Sequence, residues 1–147
     1  MNHGKDWCFS FEIFLTKTPE EVDQEKQILH FMTSEGKSNP EILFQHNNIK
    51  VLFTDNGQQL VHPETIQTKH PTNISICRVH STTQQKDRAF LTIGEETVQS
   101  GAFTKGVEKD VKILASDPWK ISLFDAIIKD LYYQEKGGMM MIFSIFV

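Results

Sequence analysis

The chain holds two cysteines and six histidines, the residue types best suited to metal or nucleophilic chemistry. Cys77 and His80 have the spacing of half a zinc site, but a complete site needs a second close pair. Cys8 stands without a neighbouring ligand, so the spacing argues against a metal. The histidines, at positions 3, 30, 46, 62, 70 and 80, are dispersed and read mostly as surface or loop residues. Glu20-Glu21 and Glu95-Glu96 are adjacent carboxylates, which read as charges favourable to a helix start before they read as an acid/base pair. Lys105, Lys109 and Lys112 interleave with Glu108 and Asp110, giving a mixed, solvated face. A glycine-rich phosphate loop, a G-x-S-x-G elbow and an H-E-x-x-H pair are all missing from the sequence. No catalytic, cofactor-binding or metal residue is assigned, no cofactor is expected, and the chain reads as a non-enzyme.

Composition narrows the class. A chain of 147 residues suits one ordinary domain or two very small ones. Apolar residues make up 39%, enough for a core, and eleven phenylalanines supply aromatic area to it. The net charge of −4 gives no strong nucleic-acid signal. The opening MNHGKDW is polar and lacks the apolar stretch of a signal peptide. Two cysteines are too few for a disulfide scaffold, so a nuclear or cytoplasmic setting with reduced thiols is the expectation. Asn73-Ile74-Ser75 matches a glycosylation sequon, which has meaning only on a secretory route.

The elements that would position these residues come next. Residues 7–15 alternate, with Trp7, Phe9, Phe11 and Ile13 on one face and Cys8, Ser10 and Glu12 on the other, as in a half-buried strand. Residues 16–33 carry two signals. Thr18, Pro19 and Glu21 form a capping box for a helix over 19–29, while the apolar run favours a strand over 27–33. The strand fits better, because Val22 shares no single helical stripe with Ile28–Met32. Ser38 and Glu41 form a second capping box, predicting a short helix to about residue 46. Residues 49–54, the turn signal Asp55-Asn56-Gly57 and a return strand over 58–61 form a hairpin pattern. Residues 73–79 read as a strand with Ile74 and Ile76 on one face and Ser75 and Cys77 on the other; residues 88–93 could pair with it as a hairpin. Residues 95–103 allow a helix weakened by Gly101, and 111–115 a short strand. Asp117 and Pro118 then cap a predicted helix, on which Ile121, Phe124, Ile127, Ile128 and Leu131 fall at helical spacing before Gly137-Gly138 ends it. The apolar tail MMMIFSIFV is too short for a membrane-spanning helix and suits a terminal edge strand or an appended sequence.

The order strand, tight turn, short strand, irregular crossing, strand over residues 48–79 resembles the second half of a ubiquitin-like β-grasp domain. That resemblance implies that 73–79 runs parallel beside 7–15. The expected class is therefore α+β: a β-grasp unit over 7–79, a partial second α+β unit over 80–136, and the tail 137–147. Its core would hold Phe9, Phe11, Ile13, Val51, Phe53, Ile74 and Ile76. Cys8 and Cys77 would both project from the face opposite that core as reduced thiols.

Lys5-Asp6-Trp7-Cys8-Phe9-Ser10-Phe11, with Gly94-Glu95-Glu96-Thr97-Val98 and Trp119-Lys120, is similar to the ubiquitin-like region of a vertebrate family of trypsin-like serine proteases. This is the "family with sequence similarity one hundred and eleven". The resemblance implies a nuclear, replication-associated or antiviral setting, in a shortened regulatory chain without the protease domain. The function expected is a non-catalytic protein-binding module with a protein partner. Val51–Gly57 also resembles a piece of interleukin-18-like proteins, so a secreted β-trefoil cytokine is the alternative.

Overall fold

Strict alternation along the first strand sets the architecture. In β1 (Trp7–Leu15) every odd residue is buried and every even one is half-buried. A single strand with one wholly apolar face must lie in a sheet that covers that face with a second layer. The computed structural model describes residues 6–17, 24–32, 38–54, 57–104, 112–114, 126–135, 138–142 and 145–146. Their remaining strands are β2 (Lys26–Met32), β3 (Ser38–Gln45), β4 (Asn48–Phe53), β5 (Gln58–Thr65), β6 (Thr72–Ser81) and β7 (Lys86–Ile93). The series continues with β8 (Glu96–Gln99), β9 (Phe103–Thr104), β10 (Lys112–Leu114), β11 (Ala126–Glu135), β12 (Gly138–Ile142) and β13 (Ile145–Phe146).

The strands form two antiparallel sheets. The large one runs β12-β11-β1-β6-β7-β8, with β13 also pairing β11 and β9 also pairing β7; the small one runs β10-β2-β3-β4-β5. Their apolar faces pack together as a sandwich. Phe31 of the small sheet meets Phe9 of the large sheet edge-on at 4.8 Å between ring centroids, and Trp7 at 6.1 Å. Edge-on contact is the geometry that aromatic quadrupoles favour. All seven core residues expected from the sequence are buried in this interlayer.

Several sequence expectations are corrected. The chain is all-β, with no helix among the described residues, and is neither α+β nor a β-grasp fold, which requires a helix. β1 and β6 are neighbours as expected, but antiparallel. The capping box at Ser38 opens strand β3 and not a helix, since Ile42, Leu43 and Phe44 are all buried and pair with β4. Residues 96–99 and 103–104 are strands β8 and β9, so no helix spans 95–103. The strand reading of residues 27–33 holds, as β2, as do the hairpins β4–β5 and β6–β7 and the short strand β10. The capping residues Thr18, Pro19 and Glu21, and residues 117–125, lie outside the described residues.

The expected C-terminal helix is replaced by β11 over its described part, and the cause is a bulge. Opposite Ser10 to Glu12 of β1, β11 uses Tyr132 to Lys129, one residue more than its partner. Asp130, at φ 52°, takes up the extra residue. The buried positions of β11 are therefore Ala126, Ile128, Leu131 and Tyr133, and the three-residue step across the bulge imitates helical spacing. The tail pairs with the outer edge of this strand through β12 and β13.

The cysteine expectation is half right. Cys8 and Cys77 do face away from the core, but they are direct cross-strand partners and form a disulfide. The register puts both sulfurs on one side of adjacent strands, a proximity that a count of cysteines does not reveal. The bond closes a sequence separation of 69 residues. Replacing both by serine should lower unfolding free energy by about 2–4 kcal/mol while leaving the β-type circular dichroism spectrum intact, as read by urea titration.

Inside the sandwich a charged cluster interrupts the apolar layer. Arg78 continues the inward parity of Ile74 and Ile76, and Asp87 that of Leu91 and Ile93. Arg78 Nε donates to Asp87 Oδ2 at 2.7 Å, both groups buried. His80 Nδ1 lies 2.7 Å from Asp87 Oδ1, and the backbone N–H of His80 donates to Asp6 Oδ1 at 2.7 Å. The guanidinium sits 4.7 Å from the Phe103 ring centroid, a favourable cation–π distance. Removing one partner of a buried pair strands the other charge. Asp87→Ala should cost about 3–5 kcal/mol, whereas Arg78→Met with Asp87→Leu should cost clearly less, measured by chemical denaturation.

Candidate functional site on the outer face of the large sheet

The even residues of β1, the odd residues of β6 and the even residues of β7 all leave the core on the same side, so the outer face of the large sheet follows from alternation. Register then sorts that face into rows. Tyr132 of β11 pairs with Ser10, Ser10 with Ser75, Ser75 with Thr92, and Thr92 with Thr97. One hydroxyl group from each of five adjacent strands thus stands in a single line. With strands about 4.8 Å apart the line is about 19 Å long. Thr92 Oγ1 and Thr97 Oγ1 are hydrogen-bonded at 2.8 Å, and Tyr132 at the other end is 38% exposed, which leaves its ring open to a ligand.

The neighbouring row is Gln134, the Cys8–Cys77 disulfide, Phe90 and Gln99. On the opposite side stand Glu12, its partner Asn73, and Asp130 at the bulge. Between these borders lies an open groove of 480 Å³, lined by Ser10, Ser75, Thr92 and Tyr132 from the row and by Asn73 and Asp130 from its edge. Its chemistry is that of hydroxyls, an amide and a carboxylate beside an aromatic ring. The hydroxyls and the amide both donate and accept hydrogen bonds, and the carboxylate accepts.

A second cluster lies at one end of the sandwich, where His62, Glu64 and Glu96 bring potential ligand atoms within 4.8 Å of one another. The histidine is already committed. The backbone N–H of Glu64 donates to Nδ1 at 3.1 Å, so the ring proton is on Nε2, which donates to the Glu96 carbonyl at 3.0 Å. Nδ1 is held within β5, and Nε2 ties β5 of the small sheet to β8 of the large one; with both nitrogens satisfied, the imidazole can be fully buried. The expected outcome is that His62→Ala lowers stability by about 2–4 kcal/mol, while added zinc or calcium leaves the melting temperature of the native protein unchanged.

The residues weighed from sequence are scattered. Cys77 is disulfide-bonded and His80 is held on Asp87, so the half zinc site is not assembled. His46 and His70 are exposed, but the side chains of His30, His62 and His80 are buried, contrary to the surface reading. Glu95 lies in the β7–β8 turn and Glu96 on β8, not on a helix start. His3, Glu20-Glu21, Lys105, Glu108, Lys109 and Asp110 lie outside the described residues. The hydroxyl row was not picked out from sequence. Its parity was visible in Ser10 and Ser75, but its alignment depends on long-range register.

No protein-family model matches the chain, and no curated protein is found to be similar to it. Among solved structures it is similar to the receptor-binding domain of botulinum neurotoxin type G, with a TM-score of 0.58 and 14% identity. The match covers 90% of this chain and 36% of that one, so this chain spans about a third of the neighbour's length. An alginate lyase aligns with a TM-score of 0.44 at 12% identity, over 79% of this chain and 65% of the enzyme. The neurotoxin neighbour agrees with an all-β fold. The strand-only architecture of the described residues overturns the resemblance to ubiquitin-like domains and, with it, to the ubiquitin-like region of the protease family. A β-trefoil is not established either, since the strands gather into two facing sheets. No helix among the described residues is long and apolar enough to cross a membrane. What the comparisons identify is a two-sheet, all-β fold shared with a receptor-binding domain.

Proposed function

We propose that the chain is a non-catalytic binding module that holds a saccharide, free or displayed on a protein partner, along the outer face of the large sheet. The observation that carries this reading is the row Tyr132, Ser10, Ser75, Thr92 and Thr97, aligned across five strands. A sugar presents a regular series of hydroxyls, each both donor and acceptor, and also an apolar ring face. A line of hydroxyls ending in an exposed phenol ring complements both, and the flat sheet beneath it is preorganised, so little ordering entropy is lost on binding. Glu12 and Asp130 on one border disfavour anionic sugars and favour neutral ones. That a structural neighbour is a receptor-binding domain is consistent with a binding role.

The reading also carries a setting. The Cys8–Cys77 disulfide supports an oxidising compartment over the nucleus or cytosol. A protein partner, the expectation from sequence, remains part of the proposal as the carrier of the saccharide.

Calorimetric titration with neutral and sialylated oligosaccharides tests it. Binding of a neutral oligosaccharide is expected, weakened at least tenfold by Tyr132→Ala and by the pair Ser10→Ala and Thr92→Val, with unfolding free energy little changed. Failure of every neutral saccharide to bind overturns the ligand class, and hydrolysis of a bound one overturns the non-catalytic reading.

A further inference from the structure

We propose that Asn73 is an N-glycosylation site, so that the chain carries its own saccharide at the rim of the hydroxyl groove. Three independent observations converge on it. Asn73-Ile74-Ser75 has the acceptor pattern, in which a hydroxyl residue follows two positions after the asparagine and the middle residue is not proline. Alternation in β6 turns Ile74 into the core and leaves the Asn73 side chain outside; Asn73 is exposed and near the strand's first residue, Thr72. The Cys8–Cys77 disulfide is the mark of a compartment where such transfer occurs. The motif alone is uninformative in a reducing cell; with the disulfide it gains a route.

The surroundings leave room for the attachment. Asn73 lines the groove beside Gly94, which has no side chain, and a Cβ built on Gly94 would meet only Glu64 Oε2, at 3.8 Å. Among the described residues no hydrogen bond or ion pair holds the Asn73 side chain. The reaction is a group transfer from a saccharide linked to a lipid diphosphate. The amide nitrogen of Asn73 bonds to the anomeric carbon and gives up a proton. The bond from that carbon to the diphosphate oxygen breaks, and the lipid diphosphate leaves with the electron pair. Serine at position 75 belongs both to this motif and to the hydroxyl row, so one residue serves two uses at different times: recognition by the transferase before folding, and the groove afterwards.

The inference does not rest on saccharide binding and is tested separately. The full chain isolated from cells that make it is digested with a peptide N-glycosidase in heavy-oxygen water and mapped by mass spectrometry. The expected result is a mass decrease of one glycan and heavy-oxygen aspartate at position 73. In chains expressed through a eukaryotic secretory pathway, Asn73→Gln and Ser75→Ala should both abolish the glycan, while Ser75→Thr retains it. Loss in Asn73→Gln, which leaves the Ser75 hydroxyl in place, together with release by the N-glycosidase, separates N-linkage from sugar on a hydroxyl residue. An unmodified asparagine in the native chain, or a glycan that survives Asn73→Gln, overturns the proposal. Thermal unfolding of Asn73→Gln at the unglycosylated wild-type temperature excludes misfolding as the cause of any loss.

Discussion

Everything in this molecule is referred to β1. It pairs with β6 on one edge and β11 on the other, and all five of its inner residues, Trp7, Phe9, Phe11, Ile13 and Leu15, belong to the buried core. Phe9, Phe11 and Trp7 form the aromatic spine that Phe31 and Phe53 close from the other layer. Burying such rings is worth several kcal/mol in total, and a one-residue slip would turn all of them to solvent. The register of β1 therefore fixes which hydroxyls face outward, and the groove is a by-product of the same constraint that makes the core. The disulfide reinforces that constraint at the β1–β6 seam.

The interior is not uniformly apolar. Arg78, Asp87 and His80 occupy positions that alternation assigns to the core; the Asp87 carboxylate holds Arg78 on one oxygen and His80 on the other, while Phe103 covers the guanidinium. Exposed Val79, between Arg78 and His80, shows that parity and not polarity decides the side a residue takes. Ion pairs of this kind add little net stability, because desolvation offsets attraction. Their effect is directional: an arginine that finds its carboxylate only in one pairing penalises other registers of β6 against β7.

Local structure is legible in the sequence. The alternation of residues 7–15, the turn at Gly57 and the hairpins β4–β5 and β6–β7 all follow from period-two patterns and turn chemistry. The seven expected core residues are buried because parity depends only on neighbours a few positions away. What was not legible was long-range. Ser38 and Glu41 looked like a helix cap because capping residues are also common polar residues, and burial of Ile42 and Phe44 against distant strands overrode the local preference. The direction of β6 beside β1 differs between a β-grasp and a sandwich without altering either strand's own pattern. The hydroxyl row inherits that blindness: Ser75, Thr92 and Thr97 lie on consecutive strands, but Ser10 and Tyr132 join them only through the long-range pairings of β1.

The bulge at Asp130 bears on how this chain tolerates change. Because Lys129 and Asp130 are both exposed, loss of one residue there would restore plain alternation and leave Ile128, Leu131 and Tyr133 facing inward. An insertion or deletion anywhere else in the central strands would invert a face. Loss of a codon in β11 is thus survivable at one point, beside Tyr132 and the open end of the groove. The border of the groove can be redrawn through length variation while the two layers stay as they are.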